Sequence, residues 1–189
     1  MKRILLIDLN DSFTGNIKDI LKQFNCKYKI VKYSDFMNDF ALNFDGIIIS
    51  PGPGHASEYR KIYNLLSEYC KQIPILGICL GHQIISSFYG ADLFNLKEVV
   101  HGQKKKIIKI FDKGILKSFP LNFEAGLYHS WSVKKNTLPD CLRIEAIGSE
   151  NTIMAVSHKI YPSYGLQFHP ESFLTPLGKK IFLNFLNII

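Results

Sequence analysis

The sequence predicts an α/β fold, a doubly wound and mostly parallel sheet flanked by helices, with an additional small β region. Strand-like and helix-like patterns alternate up to about residue 90, which is typical of parallel sheets. Shorter strand-like runs then follow one another. Glycine-rich turns close two of the early strands, where open α/β sheets hold their ligands. The length of 189 residues and the absence of linkers predict a single domain, 1–189.

The first half of the chain contains four predicted strands and three predicted helices. The strands are short apolar runs at 3–9, 28–33, 45–50 and 75–78. Apolar residues at helical spacing mark the first two helices: Ile17, Ile20, Leu21 and Phe24, then Ile62, Leu65, Leu66 and Tyr69. Ser12 or Thr14 is available to cap the first helix. A third helix covers residues 82–89.

The second half predicts shorter strands, some of them antiparallel, at 105–111, 127–133, 142–148, 152–157 and 164–168. A closing helix spans about 176–186. The chain carries a formal charge of +7, and its Lys104, Lys105 and Lys106 run into a strand-like segment. A solvated strand face or hairpin explains this cluster better than a nucleic-acid site. An acidic partner surface or an anionic substrate is compatible with the charge.

The apolar runs and the cysteine spacing indicate where the protein is located and whether it binds a metal. The N-terminal apolar run ends at Asp8, and no later run reaches membrane-spanning length, so we expect a cytoplasmic protein without membrane contact. Its four cysteines are scattered without a CxxC pair. This spacing fits reduced thiols and predicts no metal site.

Cys79 is the first candidate catalytic residue. It lies in Gly77-Ile78-Cys79-Leu80-Gly81, between a predicted strand and a predicted helix. Small residues on both sides allow the sharp turn that exposes a nucleophile, as in the Gly-x-Ser-x-Gly elbow of hydrolases. A helix N-terminus also favours the thiolate. The alternative is a buried structural cysteine, the common fate of a free thiol.

A cysteine nucleophile needs a base, and the base needs an orienting group. His169 and Glu171 are two residues apart, so an extended backbone would place both on one face. Backbone amides of Leu80 and Gly52 are candidates for an oxyanion hole, because glycine permits close backbone approach. Taken singly, a His before Pro is more often a turn or core residue, and the loop 51–54 can be a rigid turn.

Three sequence blocks resemble those of class I glutamine amidotransferases. They are SPGPG at 50–54, GICLGHQ at 77–83 and QFHPES at 167–172, in the family's order and spacing. Two more, DLNDSFTGN at 8–16 and LYHSW at 127–131, resemble the small subunits of anthranilate synthase and aminodeoxychorismate synthase. Leu127, Trp131, Gln103 and Ala56 depart from the common pattern of those subunits.

The resemblance implies an activity and a set of roles. Cys79 would attack the side-chain amide of L-glutamine, with His169 moving protons and Glu171 orienting the imidazole. Glutamine would be bound by the following residues: Gly52, Pro53, Gly54, Gln83, Ser130 and Trp131. Ammonia would pass to a larger chorismate-binding synthase subunit. This chain would need no cofactor, and Mg²⁺ is expected only in the partner.

The sequence leaves other functions open. The chain can also be a stand-alone γ-glutamyl or amide hydrolase, or a non-catalytic regulatory subunit with the same fold. Without the resemblance, Gln83 would be interpreted as an exposed helix residue, and Ser130 and Trp131 as ordinary strand residues. Anthranilate and aminodeoxychorismate are not distinguished as products, because that choice belongs to the synthase.

Overall fold

One nine-stranded sheet runs through the computed structural model, which describes residues 1–189. Its strands are β1 (Lys2–Asp8), β2 (Cys26–Lys32), β3 (Gly46–Ile49), β4 (Ile75–Ile78), β5 (Leu93–Lys109), β6 (Asn122–Val133), β7 (Leu142–Ile147), β8 (Ile153–His158) and β9 (Ser163–Leu166). Their order across the sheet is β2-β1-β3-β4-β9-β8-β7-β5-β6. The strands from β2 to β9 pair in parallel, and the remaining pairs are antiparallel.

Four helices cover the two faces of the parallel part: α1 (Thr14–Leu21), α2 (Arg60–Tyr69), α3 (Leu80–Phe88) and α4 (Gly178–Ile188). Successive strand residues face opposite sides. Ile4 and Leu6 pack in the core with α1 and α4, whereas Leu5 and Ile7 pack in the core with α2 and α3. The two cores confirm the prediction of a doubly wound sheet.

The predicted cap of α1 is wrong. Phe13 occupies the N-cap position, and no side chain caps it there. The Thr14 hydroxyl donates a hydrogen bond to Asp8 (2.8 Å), and the Phe13 amide donates to the Asp11 carboxylate (2.7 Å). Aspartate side chains therefore hold the polar groups of the turn that precedes the helix.

The hairpin of β5 and β6 is longer than the sequence indicates, since the predicted strands begin only at 105 and 127. Residues 93–104 are all exposed or half-buried and lack a regular apolar alternation, so their pattern gives little strand signal. Pairing with β6 holds this segment on either side of a register shift between Asn95 and Val100. Lys104 pairs with Glu124 across the hairpin at 2.7 Å, which confirms the solvated hairpin. None of the helices is long and apolar enough to cross a membrane.

Candidate active site

Cys79 occupies a strained elbow between β4 and α3. Its φ of 51° and ψ of −101° lie where non-glycine residues are uncommon and costly. The amide of Cys79 donates a hydrogen bond to the carbonyl oxygen of Leu166 in β9 (2.7 Å). The surrounding sheet and helix therefore hold this backbone in place, with the sulfur at the carboxyl end of the parallel strands.

The two flanking glycines are required by close packing. A Cβ on Gly77 would lie 2.4 Å from the backbone of Gly81, and a Cβ on Gly81 would lie 2.6 Å from the carbonyl oxygen of Ile49. Real Cβ atoms do not approach backbone this closely. The Gly-x-Cys-x-Gly spacing thus lets α3 pack directly on β3 and β4, and it makes the sharp turn that the sequence predicts.

His169 and Glu171 form a buried pair. Nδ1 of His169 and Oε1 of Glu171 are 2.7 Å apart, and the residues are 2% and 5% exposed. The amide of His169 donates to the carbonyl oxygen of Gly126 (3.0 Å), and the Thr175 hydroxyl donates to the carbonyl oxygen of His169 (2.6 Å). The segment follows β9, the neighbour of β4, so the pair lies at the same sheet edge as Cys79.

The electrostatics of this edge favour a charged imidazole. Burial opposes protonation of His169, but the neighbouring sulfur of Cys79 and the carboxylate of Glu171 raise its pKa well above the usual range. Nε2 of His169 has no hydrogen-bond partner in the protein. One ring nitrogen is therefore fixed by Glu171 while the other remains available for proton transfer.

Two aromatic rings hold the imidazole of His169. Phe13 and Tyr128 contact it edge-on, with ring centroids 5.1 and 4.8 Å away, and they contact each other at 4.9 Å. The carbonyl oxygen of Tyr128 also accepts a weak hydrogen bond from the Cys79 sulfur (3.9 Å). These contacts limit the rotation of the ring.

The amides of Gly52 and Leu80 lie in adjacent segments. A Cβ on Gly52 would come within 2.9 Å of the Leu80 side chain and 2.6 Å of Leu9 Cβ, so the loop passes close to the start of α3. The amide of Gly52 donates no backbone hydrogen bond, and the amide of Leu80 lies at the first position of α3, where N–H groups lack intrahelical partners. Their N–H groups are therefore free to bind an anionic oxygen.

The remaining predicted glutamine-binding residues surround this edge. Gln83 is only 3% exposed and donates to the carbonyl oxygen of Trp131 (2.8 Å), so the interpretation as an exposed helix residue is wrong. Ser130 and Trp131 are half-buried in β6. Pro53 accepts a hydrogen bond from the Tyr59 hydroxyl (2.8 Å), and Gly54 adopts a φ of 78°.

Sequence reasoning missed Gln167. It is fully buried, and its side-chain amide donates to the Cys79 sulfur (3.7 Å) while its carbonyl accepts from Gln83 (3.2 Å). A signal was present, because Gln167 lies two residues before His169 in an extended segment. His82, by contrast, is buried in the interior without hydrogen-bond partners, and burial lowers its pKa to about 3.

These features are those of an α/β protein with a nucleophile elbow, the strand–turn–helix in which hydrolases place a catalytic residue. A cysteine lies at the apex of the elbow, a buried His–Glu pair follows the neighbouring strand β9, and the amides of Gly52 and Leu80 lie nearby. No cluster of three or more His, Cys, Asp or Glu side chains in the structure could hold a metal ion.

Comparison with known proteins identifies the family. The model of the class I glutamine amidotransferase family matches residues 5–189, and the chain belongs to this family. A Haemophilus influenzae protein provisionally named anthranilate synthase component II is 40% identical over 186 residues, covering 98% of this chain and 96% of that protein. Anthranilate synthase component 2 of Cyanophora paradoxa is 39% identical over 189 residues, covering 98% and 99%.

A solved structure supports the fold. A Thermoplasma acidophilum protein, provisionally described as one subunit of GMP synthase, superposes with a TM-score of 0.91 at 27% identity. The match covers 100% of this chain and 94% of that one. The predicted α/β class is therefore confirmed by both the strand order and this neighbour.

Proposed function

We propose that this chain hydrolyses L-glutamine to glutamate and ammonia and delivers the ammonia to a chorismate-using synthase subunit. The observation that carries the proposal is the His169–Glu171 pair at 2.7 Å, held beside the strained Cys79 elbow. A buried imidazole with one fixed and one free nitrogen is the arrangement that a cysteine nucleophile needs.

In the proposed reaction, the Cys79 sulfur attacks the side-chain carbonyl carbon of glutamine. The carbonyl oxygen becomes an oxyanion, which the amides of Gly52 and Leu80 stabilise. A single donor of this kind contributes roughly 3 kcal/mol in comparable sites. His169 gives its Nε2 proton to the departing nitrogen, so the C–N bond breaks to yield ammonia and a γ-glutamyl thioester.

Water then completes the turnover. His169 accepts a proton from the water, whose oxygen attacks the thioester carbon, and the sulfur leaves as the thiolate. Glu171 holds the ring in the orientation that both steps use. Gln83, Ser130 and Trp131, together with the loop of Gly52, Pro53 and Gly54, would bind the substrate. The step requires no metal or organic cofactor from this chain, and Mg²⁺ is expected in the partner.

A synthase partner follows from the fate of ammonia. Ammonia released into neutral water is protonated and loses its nucleophilicity, so the reaction benefits from a second subunit that encloses the route to the acceptor. The relative named anthranilate synthase component 2 supports chorismate as the molecule that accepts the ammonia. We propose a cytoplasmic complex that makes anthranilate, with aminodeoxychorismate as the second candidate product.

The test is to purify the chain with and without the synthase subunit encoded in the same organism. We expect glutamate release to be weak alone and to rise in the complex, and mass spectrometry of the aromatic amine to identify the product. Cys79→Ala should abolish glutamine-dependent synthesis but leave ammonium-dependent synthesis intact. Cys26→Ala, at a half-buried cysteine in β2, is the matched control.

Two results would contradict parts of this proposal. Turnover of glutamine by Cys79→Ala at the rate of the unmutated chain would exclude Cys79 as the nucleophile. Full glutaminase activity of the isolated chain, unchanged by the synthase, would instead identify a stand-alone amide hydrolase.

A further inference from the structure

A cavity of about 320 Å³ lies at the amino end of β9, opposite the end of the parallel strands that carries Cys79. Its walls come from the amino end of β9, the carboxyl end of β8, the strand β7 and the loop that follows β5. Cys79 follows the carboxyl end of β4, which runs parallel to β9. The cavity is therefore separate from the candidate active site and shares no residue with it.

Glu145 gives this cavity an unsatisfied acceptor. The residue is 1% exposed, and its Oε2 has no hydrogen-bond partner. Burial raises the pKa of the carboxyl to about 7, although the Ser157 hydroxyl and the positive charge of Arg143 act to lower it. Buried polar groups are normally paired, so an unpaired carboxyl oxygen in a cavity wall indicates a ligand that donates a hydrogen bond.

Arg143 supplies the opposite charge in the same cavity. It precedes Glu145 by two residues in β7, yet no ion pair joins the two side chains. The guanidinium instead lies over the Phe111 ring, 4.2 Å from its centroid. A cation and a carboxyl thus line one small space without contacting each other, which suits a ligand that carries both charges.

The remaining wall residues indicate the size and the side chain of the ligand. Tyr161 and Tyr164 add aromatic rings to that of Phe111, and the exposed Lys113 lies at the rim. A volume at the lower end of the usual range for ligand sites suits a small molecule. Aromatic walls pack best against a flat apolar group.

We propose that this cavity binds a free α-amino acid with an aromatic side chain. Its ammonium group would donate hydrogen bonds to Glu145, and its carboxylate would pair with Arg143 and Lys113. The ring would pack between Phe111 and the two tyrosines. The site does not depend on the proposed glutaminase reaction.

The first test is calorimetric titration of the full chain with L-phenylalanine at about pH 8, where Glu145 is mostly ionised. We expect saturable binding that N-acetyl-L-phenylalanine, without the ammonium group, and L-phenylalanine amide, without the carboxylate, do not reproduce. Glu145→Gln should weaken binding at least about tenfold, because a charge-assisted hydrogen bond is lost. Glu98→Gln, at an exposed carboxylate, is the matched control and should bind as the unmutated chain does.

A second measurement uses the unmutated chain, so its result does not depend on whether a variant folds. In the unmutated chain labelled with ¹³C at glutamate carboxyls, the resonance that titrates near pH 7 should shift its midpoint to lower pH when L-phenylalanine is bound. Absence of saturable binding at millimolar concentration would overturn the proposal. Binding that Glu145→Gln leaves unchanged would place the ligand elsewhere and overturn it as well.

Discussion

Replacing Glu171 by glutamine tests how much the carboxylate contributes to the state of His169. The substitution keeps the size of the side chain and an oxygen acceptor within 2.7 Å of Nδ1, but it removes the negative charge. Hydrogen bonds to charged groups contribute about 1.5–3 kcal/mol, and neutral ones about 1 kcal/mol. Both residues are buried, so solvent screens the difference little. The imidazolium form should therefore lose roughly 0.5–2 kcal/mol of stabilisation, a factor of about 2–30.

The assay is the rate of Cys79 alkylation by iodoacetamide as a function of pH, which needs no partner protein. Burial opposes the charged imidazole, and the Cys79 sulfur and Glu171 together outweigh it, so loss of the carboxylate lowers the pKa of His169. We expect alkylation near pH 7 to slow roughly tenfold in Glu171→Gln, because fewer molecules hold the thiolate–imidazolium pair. Glu124→Gln, at an exposed carboxylate of β6, should match the unmutated chain. An unaltered rate and pH profile in Glu171→Gln would refute the reasoning.

Three further predictions concern stability, each measured by urea unfolding. Gly81→Ala should lower the free energy of unfolding by about 1–3 kcal/mol, because the new Cβ would clash with the Ile49 carbonyl oxygen. The control Gly15→Ala, whose Cβ would meet no atom within 4 Å, should be neutral or stabilising. Equal effects of the two substitutions would be inconsistent with tight packing at the elbow. Glu145 keeps its proton up to about pH 7 in the fold but only to 4.5 when unfolded, so stability should fall by about 3 kcal/mol as pH rises between those values. Glu145→Gln should remove that slope, and a persisting slope would contradict it. His82 has a pKa of about 3 when folded against 6.5 unfolded, so stability should fall by up to about 5 kcal/mol as pH drops through that range. His82→Leu should reduce the loss, and an equally acid-sensitive variant would eliminate this cause.

The parallel half of the fold and the position of the elbow could be predicted from the sequence. The apolar strand runs and the helical spacing are strong periodic signals. The glycines around Cys79 indicate a sharp turn, and a Cβ at Gly77 or Gly81 would clash with neighbouring backbone. The long hairpin of β5 and β6 escaped prediction because its exposed residues carry no regular period, and their strand character comes from pairing.

Contacts between distant segments also escaped prediction. The edge contacts of Phe13 and Tyr128 with His169 join three parts of the chain, and no local pattern encodes them. Gln167 belongs to one of the recognisable sequence blocks, but its contact with Cys79 depends on the pairing of β9 beside β4. The unpaired carboxyl of Glu145 is a property of burial, which an ordinary β strand sequence does not reveal.

The place of β9 in the sheet sets the order in which the protein can mature. This strand is the last of the nine to leave the ribosome, yet it inserts between β4 and β8, near the middle of the sheet. A nascent chain that ends before residue 163 would carry the Cys79 thiol without its imidazole partner. Domains generally fold as units, and contacts between remote segments form slowly. With Cys79 and His169 in the proposed roles, glutamine hydrolysis would begin only after β9 has been made and inserted into the sheet.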